Sequence, residues 1–154
     1  MIVSVKVGAH NVRRAGLADA GILAAIHATC FAKPWDAAEM AAFLGAPGCL
    51  SLLAGGPQGN PPRGFLIARR TGDEAELLTL AVLPTYRGSG LGRALLGACL
   101  EALRQSGAEV LFLEVGENNA AARNLYQSFS AVPVGRRPGY YEHGGDAIIF
   151  SLAL

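Results

Sequence analysis

The sequence predicts an α/β domain built on a mixed sheet with helices on its faces. Three observations lead there. The chain has 154 residues and is 51% apolar, enough for the core of one ordinary domain spanning 1–154. Its stretches run in the order strand, two helices, three strands, helix, strand, helix, two strands, with no internal repeat. "YRGSGLGRALL", residues 86–96, joins a strand to a helix through three glycines in five residues.

Each element has its own signal. The opening "MIVSVKVGAH" alternates like a strand and stands as an N-terminal extension (1–10) outside the pattern that follows. A short strand near 12–14 feeds a helix over 17–30, where Leu23, Ile26 and Cys30 recur at helical spacing with Ile22 beside them. Pro34 breaks that helix, Asp36 caps the next, and Glu39 completes a D-x-x-E capping box. "CLSLLA" and "GFLIARR" read as strands, parted by a loop, "GGPQGNPP", too rich in glycine and proline for regular structure. "EAELLTLAV" is a longer strand ended by Pro84, and the helix after the glycine loop stops at Gly107. "EVLFLEV" is filled with β-branched and large apolar residues, as a strand requires. "NNAAARNLYQSF" is a helix with an asparagine cap, and "VPVGRR" and "DAIIFSLAL" supply two strands around the turn-rich "PGYYEHGGD".

Composition narrows the function. A net charge of +1 gives nucleic-acid binding no electrostatic support. No apolar run approaches the roughly 20 residues that cross a bilayer, and no secretory leader is evident, so the expected location is the cytoplasm, without a membrane partner. Cys30, Cys49 and Cys99 have no metal-ligand spacing, and no metal is expected. His10 and His27 have no partner in sequence, and His143 reads as an exposed turn histidine.

The glycine loop admits several ligands. A dinucleotide fold needs its glycines directly after the strand; here Pro84–Arg87 intervene, and the remaining chain is too short for a second half, although Glu114 lies at the right distance for a ribose contact. A Walker loop fails because Gly-Lys-Ser/Thr is absent. A plain turn explains one or two glycines, not three flanked by Arg87 and Arg93. Amides freed of side chains at a helix N-terminus make an anion site, to which both arginines would add charge.

The pattern Arg87-x-x-Gly90-x-Gly92, preceded by "LAVLPTY", resembles the coenzyme A pyrophosphate loop of the GNAT acetyltransferase superfamily. "FAKPWDAAEMAAF", "LTLAVLPTYRGSGLGRALL", "LEVGENNAAARNLYQSF" and "RRPGYYEHGGDAIIFSL" follow the order and spacing of its RimI-type branch, the ribosomal-protein alanine N-acetyltransferases. The resemblance runs from about Val12 to the C-terminus. It implies a GNAT fold, a mixed sheet splayed open between its fourth and fifth strands, with acetyl-CoA wedged into the split. Backbone groups of Leu80, Ala81 and Val82 would hold the pantetheine arm, and amides of Gly88, Ser89, Gly90, Leu91, Gly92 and Arg93 the pyrophosphate. Asn119 would add a contact. The acceptor it implies is the N-terminal peptide of a small-subunit ribosomal protein, handled by a monomer or weak homodimer. Small amines, lysines and other N-termini, or acyl-CoA binding without turnover, are the alternatives.

Two residues would carry chemistry. In "LFLEV", Phe112 and Glu114 share the face opposite Leu111, Leu113 and Val115. Glu114 reads either as a strand-end carboxylate that reaches solvent or caps the next helix or, with the resemblance, as the general base; if burial dominates there, desolvation favours the neutral acid. Tyr126 falls on one helix face with Asn119 and Ala122, either packed in the core or, as the family's matching tyrosine, protonating the departing thiolate. Trp35, Tyr140 and Tyr141 are acceptor-side aromatics by resemblance, Trp35 equally a core anchor. Two positions depart from the family: Gly116 stands where an arginine is usual, and Ser130-Ala131 replaces Gly-Phe. Both bear on the acceptor more than on acetyl transfer.

Overall fold

The computed structural model describes residues 4–7, 10–55, 61–140 and 145–154. Eight strands form one mixed sheet in the order β1-β2-β3-β4-β5-β6-β8-β7: β1 Ser4–Val7, β2 His10–Arg14, β3 Cys49–Gly55, β4 Pro62–Thr71, β5 Glu74–Val82, β6 Val110–Gly116, β7 Val132–Arg137 and β8 Ala147–Ala153. Ser4–Val7 of the N-terminal extension therefore join the sheet, with Val5 opposite Val12 in an antiparallel pair. Four helices accompany the strands: α1 Ala20–Cys30, α2 Ala37–Gly45, α3 Leu91–Ser106 and α4 Ala120–Ser128. The helix expected from residue 17 begins as a 3-10 turn, Leu17–Asp19, before α1.

Helices cover both faces because strands in the middle of the sheet are apolar on both sides. α3 buries Leu95, Leu96, Cys99 and Leu103 in a cluster with Leu50, Leu52, Leu66, Leu111 and Leu113. α1 and α2 bring Leu23, Ile26 and Met40 to the opposite face, against Leu53, Phe65 and Ile67. Sequence signals for these helix ends hold, except that among the described residues the D-x-x-E box forms by its Asp36 half alone. Asp36 accepts a hydrogen bond from the Glu39 amide at 2.9 Å, and Gly107 closes α3 at φ +94. Burial pushes the Cys99 thiol up to about 12, so it is an inert core residue.

One junction positions the site. All neighbouring strands pair antiparallel except β5 and β6, which are parallel. Their ladder holds only from Glu74↔Val110 to Glu76↔Phe112. Immediately after it, Leu78 stands opposite no residue of β4, between the pairs Ala68↔Leu77 and Ile67↔Thr79. This bulge bends β5 and reverses which side chains face each layer. Beyond it β5 follows β4, β6 follows β8, and the sheet opens into a V.

Candidate active site

The V holds an open cleft of about 540 Å³. One wall is β5 from Glu76 to Leu80; the other is Phe112, Glu114, Val115 and Gly116 of β6, with Asn119, Ala122 and Tyr126 of α4. Arg137 and Tyr140 reach it from the end of β7, and Phe31 from the end of α1. A second lobe of about 340 Å³ continues past Glu76 and Glu114 to Arg69.

Glu114 stands on the cleft face of β6, while Leu111 and Leu113 are buried in the core behind it. Its side chain is 34% exposed, so burial does not dominate its surroundings. Its Oε1 lies 2.9 Å from an Arg137 guanidinium nitrogen. That ion pair orients the carboxylate on the wall, and Arg137 also reaches to 5.8 Å from the centre of the Tyr140 ring. Tyr126 does two things at once. It is 5% exposed and packs edge-on against Phe150, with ring centres 6.2 Å apart, yet it lines the cleft. Asn119 caps α4, its Oδ1 accepting from the Ala122 amide at 3.1 Å, and also borders the cleft.

The glycine loop lies at the start of α3, after a 3-10 turn at Pro84–Tyr86. Gly88 at φ +77 and Gly90 at φ +86 occupy the left-handed region that glycine tolerates best. No side chain caps α3, so its first-turn amides are left without the partner a capping residue supplies. The Ser89 hydroxyl donates to the Tyr86 carbonyl at 2.6 Å, and the Ser89 carbonyl receives His10 Nε2 at 2.9 Å. Both loop arginines are engaged: Arg87 Nε donates to the Val82 carbonyl, and Arg93 to the Ser128 hydroxyl, each at 2.9 Å.

These features fit a phosphorylated, extended ligand. The uncapped α3 amides suit a diphosphate. β5 lacks a strand partner on its β6 side beyond Glu76, as an amide-bearing arm would require. On the same wall the Thr79 hydroxyl is buried and has no hydrogen-bond partner among the described residues. Leu80, Ala81 and Val82 all pair with β4, through Leu66, Phe65 and Gly64; of the three, Leu80 lines the cleft.

Other expected residues sit elsewhere. Trp35 packs in an aromatic cluster, stacked on His27 at 4.7 Å and tilted on Phe43 at 4.6 Å. Its amide donates to His27 Nδ1, and burial lowers the pKa of that histidine. Phe31, stacked on the other side of His27, is the member that lines the cleft. Tyr140 is 55% exposed beside Arg137; Tyr141 and His143 lie outside the described residues. Sequence reasoning missed Arg137, which had a signal in the paired arginines before "PGYY". It also missed His10, whose loop contact spans 79 residues and leaves no local trace.

Comparison with known proteins gives the following. Residues 22–130 match a family described as "Acetyltransferase (GNAT) family". A [ribosomal protein bS18]-alanine N-acetyltransferase of Haemophilus influenzae is 44% identical over 78 residues, covering 51% of this chain and 53% of that protein. Its Escherichia coli (strain K12) counterpart is 41% identical over 93 residues, covering 58% and 63%. The match thus spans between half and two thirds of these curated relatives. The crystal structure of the ribosomal-protein-S18-alanine N-acetyltransferase from Escherichia coli superposes with a TM-score of 0.85 at 32% identity, over 94% of this chain and 93% of that one.

Proposed function

The chain belongs to the GNAT acetyltransferase family, and from that premise we propose that it transfers the acetyl group of acetyl-CoA to the α-amino group of an N-terminal alanine on a small-subunit ribosomal protein. The observation that carries this reading is the cleft where β5 and β6 part, with Glu114 and Tyr126 on one wall and an uncapped glycine loop beyond the other. The relatives named above support the acceptor.

Acetyl-CoA supplies a thioester carbon open to attack. The loop amides from Gly88 to Arg93, the free edge of β5 and Asn119 would hold it. An α-amino group has a pKa near 8, against about 10.4 for lysine, so a carboxylate working through water suffices to remove its proton. Glu114 takes that proton, with Arg137 holding the carboxylate in place. The amine nitrogen bonds to the acyl carbon and the carbon–sulfur bond breaks; the Tyr126 phenol gives its proton to the thiolate, and the second proton shed by the nitrogen as it becomes an amide restores the phenol through water. No covalent intermediate on the enzyme is needed. Tyr140 and Phe31 would border the acceptor. Trp35, behind Phe31, would shape that border through His27.

The test follows free thiol released from acetyl-CoA with three acceptors: a peptide beginning with alanine, an N-acetylated peptide containing lysine, and a small amine. Release should be fastest with the alanine peptide. Release confined to the lysine peptide or the small amine would change the acceptor. Cofactor binding with no release from any amine would favour a binding module.

A further inference from the structure

The N-terminal extension carries a residue that the family match, which starts at 22, does not include. β2 begins at His10, next to the β1 hairpin partner Val7, and is held in the sheet by β3 through Asn11↔Gly55 and Val12↔Ala54. That placement lays the imidazole on the glycine loop. Nε2 is 2.9 Å from the Ser89 carbonyl oxygen and 4.0 Å from where a side chain on Gly90 would begin. A carbonyl can only accept, so Nε2 carries the proton and donates.

The bond bears on more than Ser89. In a planar trans peptide, the C=O and the following N–H point in opposite directions. Drawing the Ser89 carbonyl toward His10 therefore turns the Gly90 amide the other way, away from the imidazole. A flip of this peptide changes ψ of Ser89 and φ of Gly90, and Gly90, at φ +86, accepts either sign of φ, so little local sterics resists it. The Ser89 hydroxyl bond to Tyr86 fixes the side chain, not this carbonyl.

We propose that His10 is a positioning residue for cofactor binding: by holding the Ser89 carbonyl it presets the Gly90 amide as a diphosphate donor. The inference rests on the coenzyme A reading above and adds to it a residue from outside the family pattern. His10 touches the loop, not the reacting atoms, so it acts on affinity.

Calorimetric titration of the full chain with coenzyme A compares the wild type with His10→Phe, which keeps a ring without a donor, and His10→Gln, which places an amide donor at similar reach. Loss of one hydrogen bond weakens binding about fivefold in His10→Phe, and His10→Gln recovers most of it. In turnover, kcat/KM for acetyl-CoA falls about fivefold more than for acetyl-pantetheine, which lacks the diphosphate. His10→Ala repeats the comparison should the phenylalanine ring prevent folding. Equal affinity in wild type and His10→Phe overturns the proposal, as does an equal loss with acetyl-CoA and acetyl-pantetheine, which would mark a general structural role. A wild type that binds no coenzyme A overturns the coenzyme A reading itself, a distinguishable failure.

Discussion

α3 follows β5 and α4 follows β6, the two strands that part at the cleft, and the N-termini of these helices are finished differently. α4 is closed by its own sequence: Asn119 accepts from the Ala122 amide, and α2 is closed the same way by Asp36. α3 starts at Gly90, at φ +86, with no capping side chain. A cap contributes about 1 kcal/mol, so a helix that forgoes it leaves its amides and the positive end of its dipole for something else. The contrast extends to the walls. On the β5–α3 side what is on offer is backbone: a strand edge without a β6 partner beyond Glu76 and a loop with two left-handed glycines. On the β6–α4 side it is side chains, Glu114 held by Arg137 and Tyr126 seated against Phe150. If the proposed function divides binding to one wall and chemistry to the other, substitutions should separate into effects on affinity and effects on turnover.

Glu114→Gln tests that separation hardest. The amide keeps the shape but cannot take the proton, so kcat should fall about a hundredfold or more, while coenzyme A affinity stays within about twofold by calorimetry. A large loss of affinity with intact kcat would put Glu114 on the binding side and end the contrast. Tyr126→Phe is milder. The ring still packs on Phe150 and the acid proton is lost, so turnover should drop about a hundredfold, the low end for a general acid. Wild-type kcat in single-turnover measurements would leave Tyr126 a core residue that happens to border the cleft.

What was legible in the sequence follows the same division between local and long-range causes. Asp36, Asn119 and Gly107 end or begin helices through bonds to residues within a few positions, and each stands where its local pattern predicts. Glu114 faces away from Leu111, Leu113 and Val115 because strands alternate. The bulge at Leu78 breaks that rule, and nothing in "ELLTLAV" announces it; it exists only relative to the register of β4. The same holds for the exposure of Glu114. An apolar strand suggests a buried carboxylate, but α1 and α2 pack over β3, β4 and β5, leaving this end of β6 open to the cleft. Arg137 and His10 meet their partners across 23 and 79 residues, distances at which no periodicity connects them.

The smallest predicted effect comes from the far end of α4. There Ser130, where the family pattern carries glycine, sits at φ +69, a conformation a side chain adopts at about 1 kcal/mol. The turn is imposed by its neighbours, since the amides of Ser130 and Ala131 donate to the carbonyls of Gln127 and Tyr126 at 2.9 and 3.1 Å. Thus Gly88 and Gly90 take a left-handed backbone ahead of a helix with no capping side chain, while Ser130 endures one where a helix must stop. Ser130→Gly should relieve the strain, partly offset by the greater freedom of glycine in the unfolded chain. The net gain is under about 1 kcal/mol, or roughly 2 °C in Tm. Ser130 does not line the cleft, so kcat should be unchanged. A changed kcat would show that the strained turn sets the position of Tyr126, four residues earlier, and that the chemical wall depends on its backbone as much as the binding wall does.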